Sequence, residues 1–135
     1  MSDNVSVRQE SVDPSDESVT VFARNCLSRS VMEHVVTKWA VLALVCLRKS
    51  DFRFNALRRQ VDGVSEKMLS QTLQTLERDG MVTRAVLTTI PPRVEYSITP
   101  LGAQVADRLR ELIDLLEGSV TDVTEARRAY DARPS

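Results

Sequence analysis

The chain has 135 residues, 42% hydrophobic and 27% charged, with a net charge of −1, and this suits one globular domain with one core. No run of about eighteen apolar residues exists to span a membrane, and the acidic, polar N-terminus has no apolar signal core, so the expected location is the cytoplasm. Cys26 and Cys46 are too few for a disulfide framework, and with His34 as the single histidine no zinc spacing can be assembled, so neither metal nor cofactor is expected.

Residues 1–17 read as a polar leader, leaving residues 18–135 as the domain proper. Helical periodicity starts near Val19 and Phe22 and runs through Cys26, Leu27, Val31 and Val35. A second helix over about 38–48 is apolar nearly all round, which places it at the centre of the core, with Trp39 as a packing anchor and Cys46 inside. "KSDFRF" interrupts it. A third, short helix over about 55–61 turns Ala56, Leu57 and Val61 inward and Arg58 and Arg59 outward. "DGV" makes a turn, Ser65 caps a fourth helix, and Gly80 supplies its left-handed C-terminal residue.

The period then changes. In "RVEYSIT", Val94, Tyr96 and Ile98 alternate with Arg93, Glu95 and Ser97, as in a half-buried strand, and "MVTRAVL" is its antiparallel partner. "TTIPP" reads as an extended hairpin loop, because proline cannot continue a ladder. Thr99 and Pro100 open another helix, striped by Leu101, Val105, Leu109, Leu112 and Leu116. Ala106, Ile113 and Leu115 widen that stripe beyond what one small domain needs. After Gly118, a last short helix capped by Asp122 is expected. The order helix, helix, helix, tight turn, helix, hairpin, helix is mainly α with a small β-hairpin, a winged helix-turn-helix.

Charge is unevenly spread along this order. Residues 1–20 hold five acids against Arg8 (−4), residues 21–100 twelve bases against seven acids (+5), and residues 101–135 five bases against seven acids (−2). The basic middle coincides with the helix-turn-helix and wing, so the overall charge does not argue against a polyanionic partner.

The segments "KWAVLAL", "RFNALRRQVDGVSEKMLSQTLQTLERDGMVTR" and "PPRVEYSITPLG" resemble the HxlR-type family of bacterial winged-helix transcription regulators, from about Cys26 to Leu116, and "EARRAYDAR" extends the likeness. The resemblance implies a homodimer built by N- and C-terminal dimerisation helices, each subunit reading double-stranded DNA at an imperfect palindrome. The chain departs from the family pattern at Leu27, where members carry Pro after the cysteine, and at Val36-Thr37, where they carry Gly-Gly.

Such a reader needs donors and acceptors on a helix that fits the major groove. The fourth helix offers Ser65, Lys67, Ser70, Gln71 and Gln74 opposite its Leu69, Leu73 and Leu76 stripe. Arg53, Arg58 and Arg59 are placed for phosphates, and Arg93 beside the hairpin loop for phosphate or the minor groove. The bland alternative is a solvated face with scattered bases. Cys26, with Arg24 and Arg29 near it in sequence, is the candidate thiol sensor, since some members of that family sense oxidants or quinone-like electrophiles through an N-terminal thiol. Its alternative is a small apolar interface residue, and a small-molecule effector stays open. His34 reads as structural. One histidine, no Gly-rich phosphate loop and no nucleophile–base motif argue against an enzyme. The competing functional class is a winged-helix protein–protein interaction module without DNA binding.

Overall fold

The computed structural model describes residues 21–134, which fall into two compact units divided after Thr37. The expected leader and Val19 lie outside the described residues. In the first unit, residues 21–25 form turns and α1 spans Leu27–Val35 behind Cys26. Phe22 therefore sits before the helix, 87% exposed, and not on its apolar face.

The second unit is built on α2 (Lys38–Lys49), whose Ala40, Ala43, Leu44, Val45 and Leu47 are buried. Arg48 and Lys49 close its last turn, where cations offset the helix dipole. β1 (Phe52–Arg53), α3 (Phe54–Gln60), α4 (Glu66–Arg78), β2 (Val82–Thr89), β3 (Pro92–Ile98), α5 (Pro100–Glu117) and α6 (Val120–Asp131) follow. α2 packs against α3, α4, α5 and β3. Leu44, Leu47, Leu57, Val61, Leu69, Leu73, Leu76 and Val82 are fully buried. Each such side chain contributes about 1.5–3 kcal/mol relative to exposure.

The winged helix-turn-helix expectation holds, with one strand added. β1 pairs antiparallel with β3 (Phe52 opposite Tyr96, Arg53 opposite Glu95), giving a three-stranded sheet in the order β1-β3-β2. The hairpin ladder also runs further than the prolines suggested. Thr89 lies opposite Pro92, so only Ile90 and Pro91 form the loop. Pro92 stands as the first residue of its strand, where a missing N–H is tolerated.

Both C-terminal helices differ from expectation. The α5 stripe divides: Gly102, Ala106 and Leu109 are buried, whereas Leu101, Leu112, Leu115 and Leu116 are exposed. Small residues win the inner face because α5 approaches β2 closely; a Cβ on Gly102 would collide with the Met81 carbonyl. α6 begins at Val120, with Ser119 in the capping position and Asp122 already in its first turn. None of its residues is buried. No single helix among the described residues is long and apolar enough to cross a membrane.

Candidate nucleic-acid interface

The turn between α3 and α4 fixes the site. Gly63 adopts φ +89°, a conformation that favours glycine, and the Trp39 ring lies 3.7 Å from where its Cβ would stand. Trp39 thus packs under the turn, as expected of an anchor. Ser65 Oγ accepts a hydrogen bond from the Met68 N–H at 3.0 Å, satisfying one of the free donors at the start of α4. At the other end Gly80 takes φ +78°. Leu69, Leu73 and Leu76 press inward, so the spacing leaves Lys67, Gln71 and Gln74 exposed and Ser70 half-buried on the opposite side.

Two clefts border α4 and another opens beside α3, and one side chain, Asn55, lines all of them. Phe54, Asn55, Glu66, Lys67 and Ser70 line the first. A second, of about 670 Å³, opens between α3 and the sheet and is bordered by Arg53, Asn55, Arg59 and Arg93. Its three arginines face two carboxylates, Asp51 and Glu95, so its balance is positive. The third holds Asn55, Arg58, Arg59, Asp62 and Glu66. Asn55 is the candidate that sequence reasoning missed. Its one sequence signal is an amide next to "RF", off the helix that carries Gln71 and Gln74.

The predicted residues are not equivalent. Arg53 ends β1 and occupies the capping position of α3, and Arg93 lies opposite Thr88 on the hairpin. Arg59 borders two of the clefts. Arg58, by contrast, lies 3.7 Å from the Glu66 carboxylate, so a local acid already offsets its charge. Ser65 serves α4 as a cap first; its hydroxyl hydrogen is still able to donate outward.

Cys26 belongs to the N-terminal unit, where it is 6% exposed. Its Sγ lies 3.0 Å from Ser28 Oγ. That side-chain hydrogen bond holds the thiol below its ordinary pKa; burial opposes it and the Arg29 and Ser28 backbone N–H groups reinforce it. The arginines do not supply the effect. Arg29 instead reaches the Phe22 carbonyl at 3.1 Å and Glu33 at 3.4 Å. Cys46 is half-buried on α2, and burial pushes its thiol up.

The sequence pattern described as HxlR-like helix-turn-helix matches residues 34–123, which takes in the helix-turn-helix, the wing and both C-terminal helices up to Val123. The chain belongs to the HxlR-like family. This HxlR-like chain is 49% identical over 107 residues to the Escherichia coli HTH-type transcriptional regulator YtfH, covering 79% of this chain and 85% of that one. The solved YtfH structure from Salmonella typhimurium superposes with a TM-score of 0.74 at 50% identity, over 79% of this chain and 96% of that one. The redox regulator HypR in its oxidised form superposes with a TM-score of 0.62 at 29% identity, over 69% of this chain and 96% of that one. HxlR-like membership accounts for the order of elements.

Proposed function

We propose that this HxlR-like protein is a homodimeric, sequence-specific DNA-binding transcription regulator. The observation that carries the reading is the α4 face. It sets uncharged amides and hydroxyls beside Lys67, and it adjoins the arginine-lined cleft through Asn55. Lys67, Ser70, Gln71 and Gln74 would meet base edges in the major groove, with Ser65 at the helix start near a phosphate. Arg53, Arg59 and Arg93 would fix the register on the backbone, with Arg58 secondary because of Glu66. A protein–protein module would more often expose several apolar groups on that face; on α4 Met68 is the one large apolar side chain exposed, beside Lys67, Gln71 and Gln74.

Apart from Met68 on α4 and the wing residues Val86, Leu87 and Ile90, the large exposed apolar groups of the second unit lie on the C-terminal helices. Leu112, Leu115, Leu116, Val120, Val123 and Tyr130 are exposed, and α6 buries nothing of its own. A second copy supplies the missing cover, by an isologous two-fold interface that in turn calls for an imperfect palindrome in the DNA. A DNA partner favours a cytoplasmic location for the protein. The hydrogen-bonded Cys26 supports an effector reading in which oxidants or electrophiles modify the thiol, and the likeness to HypR, a protein named as a redox regulator, favours it. DNase footprinting of purified protein on its own upstream DNA tests the main reading. Two protected segments centred about 10 bp apart, or a multiple of that, support it; no protection at low salt contradicts it.

A further inference from the structure

The wing carries a surface that the α4 face does not use. Between Arg84 and Arg93 the sequence "AVLTTIPP" contains no charged residue. Its tip is held tightly: the ladder persists to Thr89 and Pro92, and the Thr88 hydroxyl donates to the Pro91 carbonyl at 2.7 Å. On this held tip Ile90 is 92% exposed, with Val86 and Leu87 half exposed behind it on the outer strand of the sheet. An isolated exposed aliphatic needs no explanation, but three on one hairpin, the foremost of them 92% exposed at its tip, do.

The charge pattern identifies what would cover it. Arginines stand behind an uncharged apolar point: Arg84 on β2, and Arg93 on β3 opposite Thr88. The minor groove has the complementary layout, two phosphate rails flanking a floor of sugar C–H and base edges, and its width of about 6 Å admits a hairpin tip but not a helix. Arg93 also borders the cleft that leads through Asn55 to Lys67 and Ser70, so the wing surface is continuous with the α4 face. Resting on the DNA-binding reading above, we propose that the wing enters the minor groove with Ile90 foremost, as an apolar wedge that bends the duplex. Apolar side chains inserted at the minor-groove floor partly unstack base steps in this way. A basic wing tip would add affinity that salt abolishes; this one adds affinity that salt leaves alone.

The test uses the full-length protein and a duplex that the wild type enriches from a random-sequence pool, end-labelled for resonance energy transfer. Ile90→Ser is expected to bind that duplex about tenfold more weakly at low and high salt alike, the loss expected from leaving one aliphatic side chain unburied. Its salt slope stays at the wild-type value, its end-to-end distance lengthens, and its thermal melting is unchanged because Ile90 supports no core. Ile90→Leu retains tight binding and the bend. Arg93→Ala lowers the slope instead. Affinity of Ile90→Ser within about twofold of wild type, with the same bend, overturns the wedge while leaving the DNA reading intact. A change in subunit number of Ile90→Ser by light scattering without DNA also overturns it, since the tip would then be a contact between copies. If the wild type enriches no duplex at all, the DNA-binding reading itself fails.

Discussion

Gly102→Ala probes the joint that aligns the wing with α5. Thr99 accepts a hydrogen bond from the Gly102 N–H at 3.0 Å, and its own hydroxyl donates to the Gly80 carbonyl at 2.6 Å. The Thr99 N–H donates to the Met81 carbonyl at 3.0 Å. This clamp draws α5 so close to the start of β2 that a methyl on Gly102 meets the Met81 carbonyl oxygen, and Ile98 Cγ1 at 2.9 Å. Backbone cannot rotate away as a side chain tip would. Overpacking of this kind costs about 1–3 kcal/mol, while alanine recovers at most about 1 kcal/mol of helix propensity, less in a first turn than in a helix interior. The net expectation is a loss of about 1–2 kcal/mol, and a fall in Tm of roughly 5 °C for a chain of this size. Urea unfolding followed by far-UV circular dichroism measures it, with the slope unchanged from wild type. Because Met81 links α4 to the wing, DNA affinity should fall as well. A Gly102→Ala protein as stable as wild type or more so would refute the close approach and the reasoning built on it.

The double variant Leu112→Glu with Leu116→Glu should be monomeric by light scattering, because both side chains are exposed in the isolated chain and charge would oppose their burial between copies. Its affinity for a palindromic duplex should fall about a hundredfold or more, the loss expected when two linked half-site contacts become one. Cys26 is buried, so its alkylation by iodoacetamide should be slow, but its pH midpoint should lie below that of an ordinary thiol. A lowered pKa keeps the thiolate as pH falls, until the pH passes below the lowered value. Ser28→Ala should move that midpoint upward, and the midpoint of Cys46 should lie above an ordinary thiol's because burial raises it.

The parts of this fold that were legible in the sequence are those in which one local rule dominates. Leu69, Leu73 and Leu76 at helical spacing, Ser65 before them and Gly80 after them defined α4 without any knowledge of its neighbours. Thr99 and Pro100 did the same for the start of α5. β1 was illegible because its two residues are too few to show a period, and only its pairing with β3 makes it a strand. The division of the α5 stripe was hidden for a related reason. Leucine spacing says which residues share a face, but the close approach to Met81 decides that Gly102 and Ala106 face inward. Of the interface, sequence supplied the residue types on α4 and the arginines around it. The bridging place of Asn55 and the pairing of Arg58 with Glu66 come from juxtaposition, which a single sequence does not encode locally.

The central claim is that Gln71 on α4 reads bases while Arg59 holds the backbone. It is tested most directly by the ratio of affinities for a selected duplex and a random one, measured at two salt concentrations. Gln71→Ala should lower that ratio by about tenfold, within the range of about 1–3 kcal/mol for a bidentate base contact, and leave the salt slope unchanged. Arg59→Ala should weaken both duplexes equally and reduce the slope by about one. If Gln71→Ala leaves the ratio at its wild-type value, α4 does not read DNA sequence in the way its exposed face indicates.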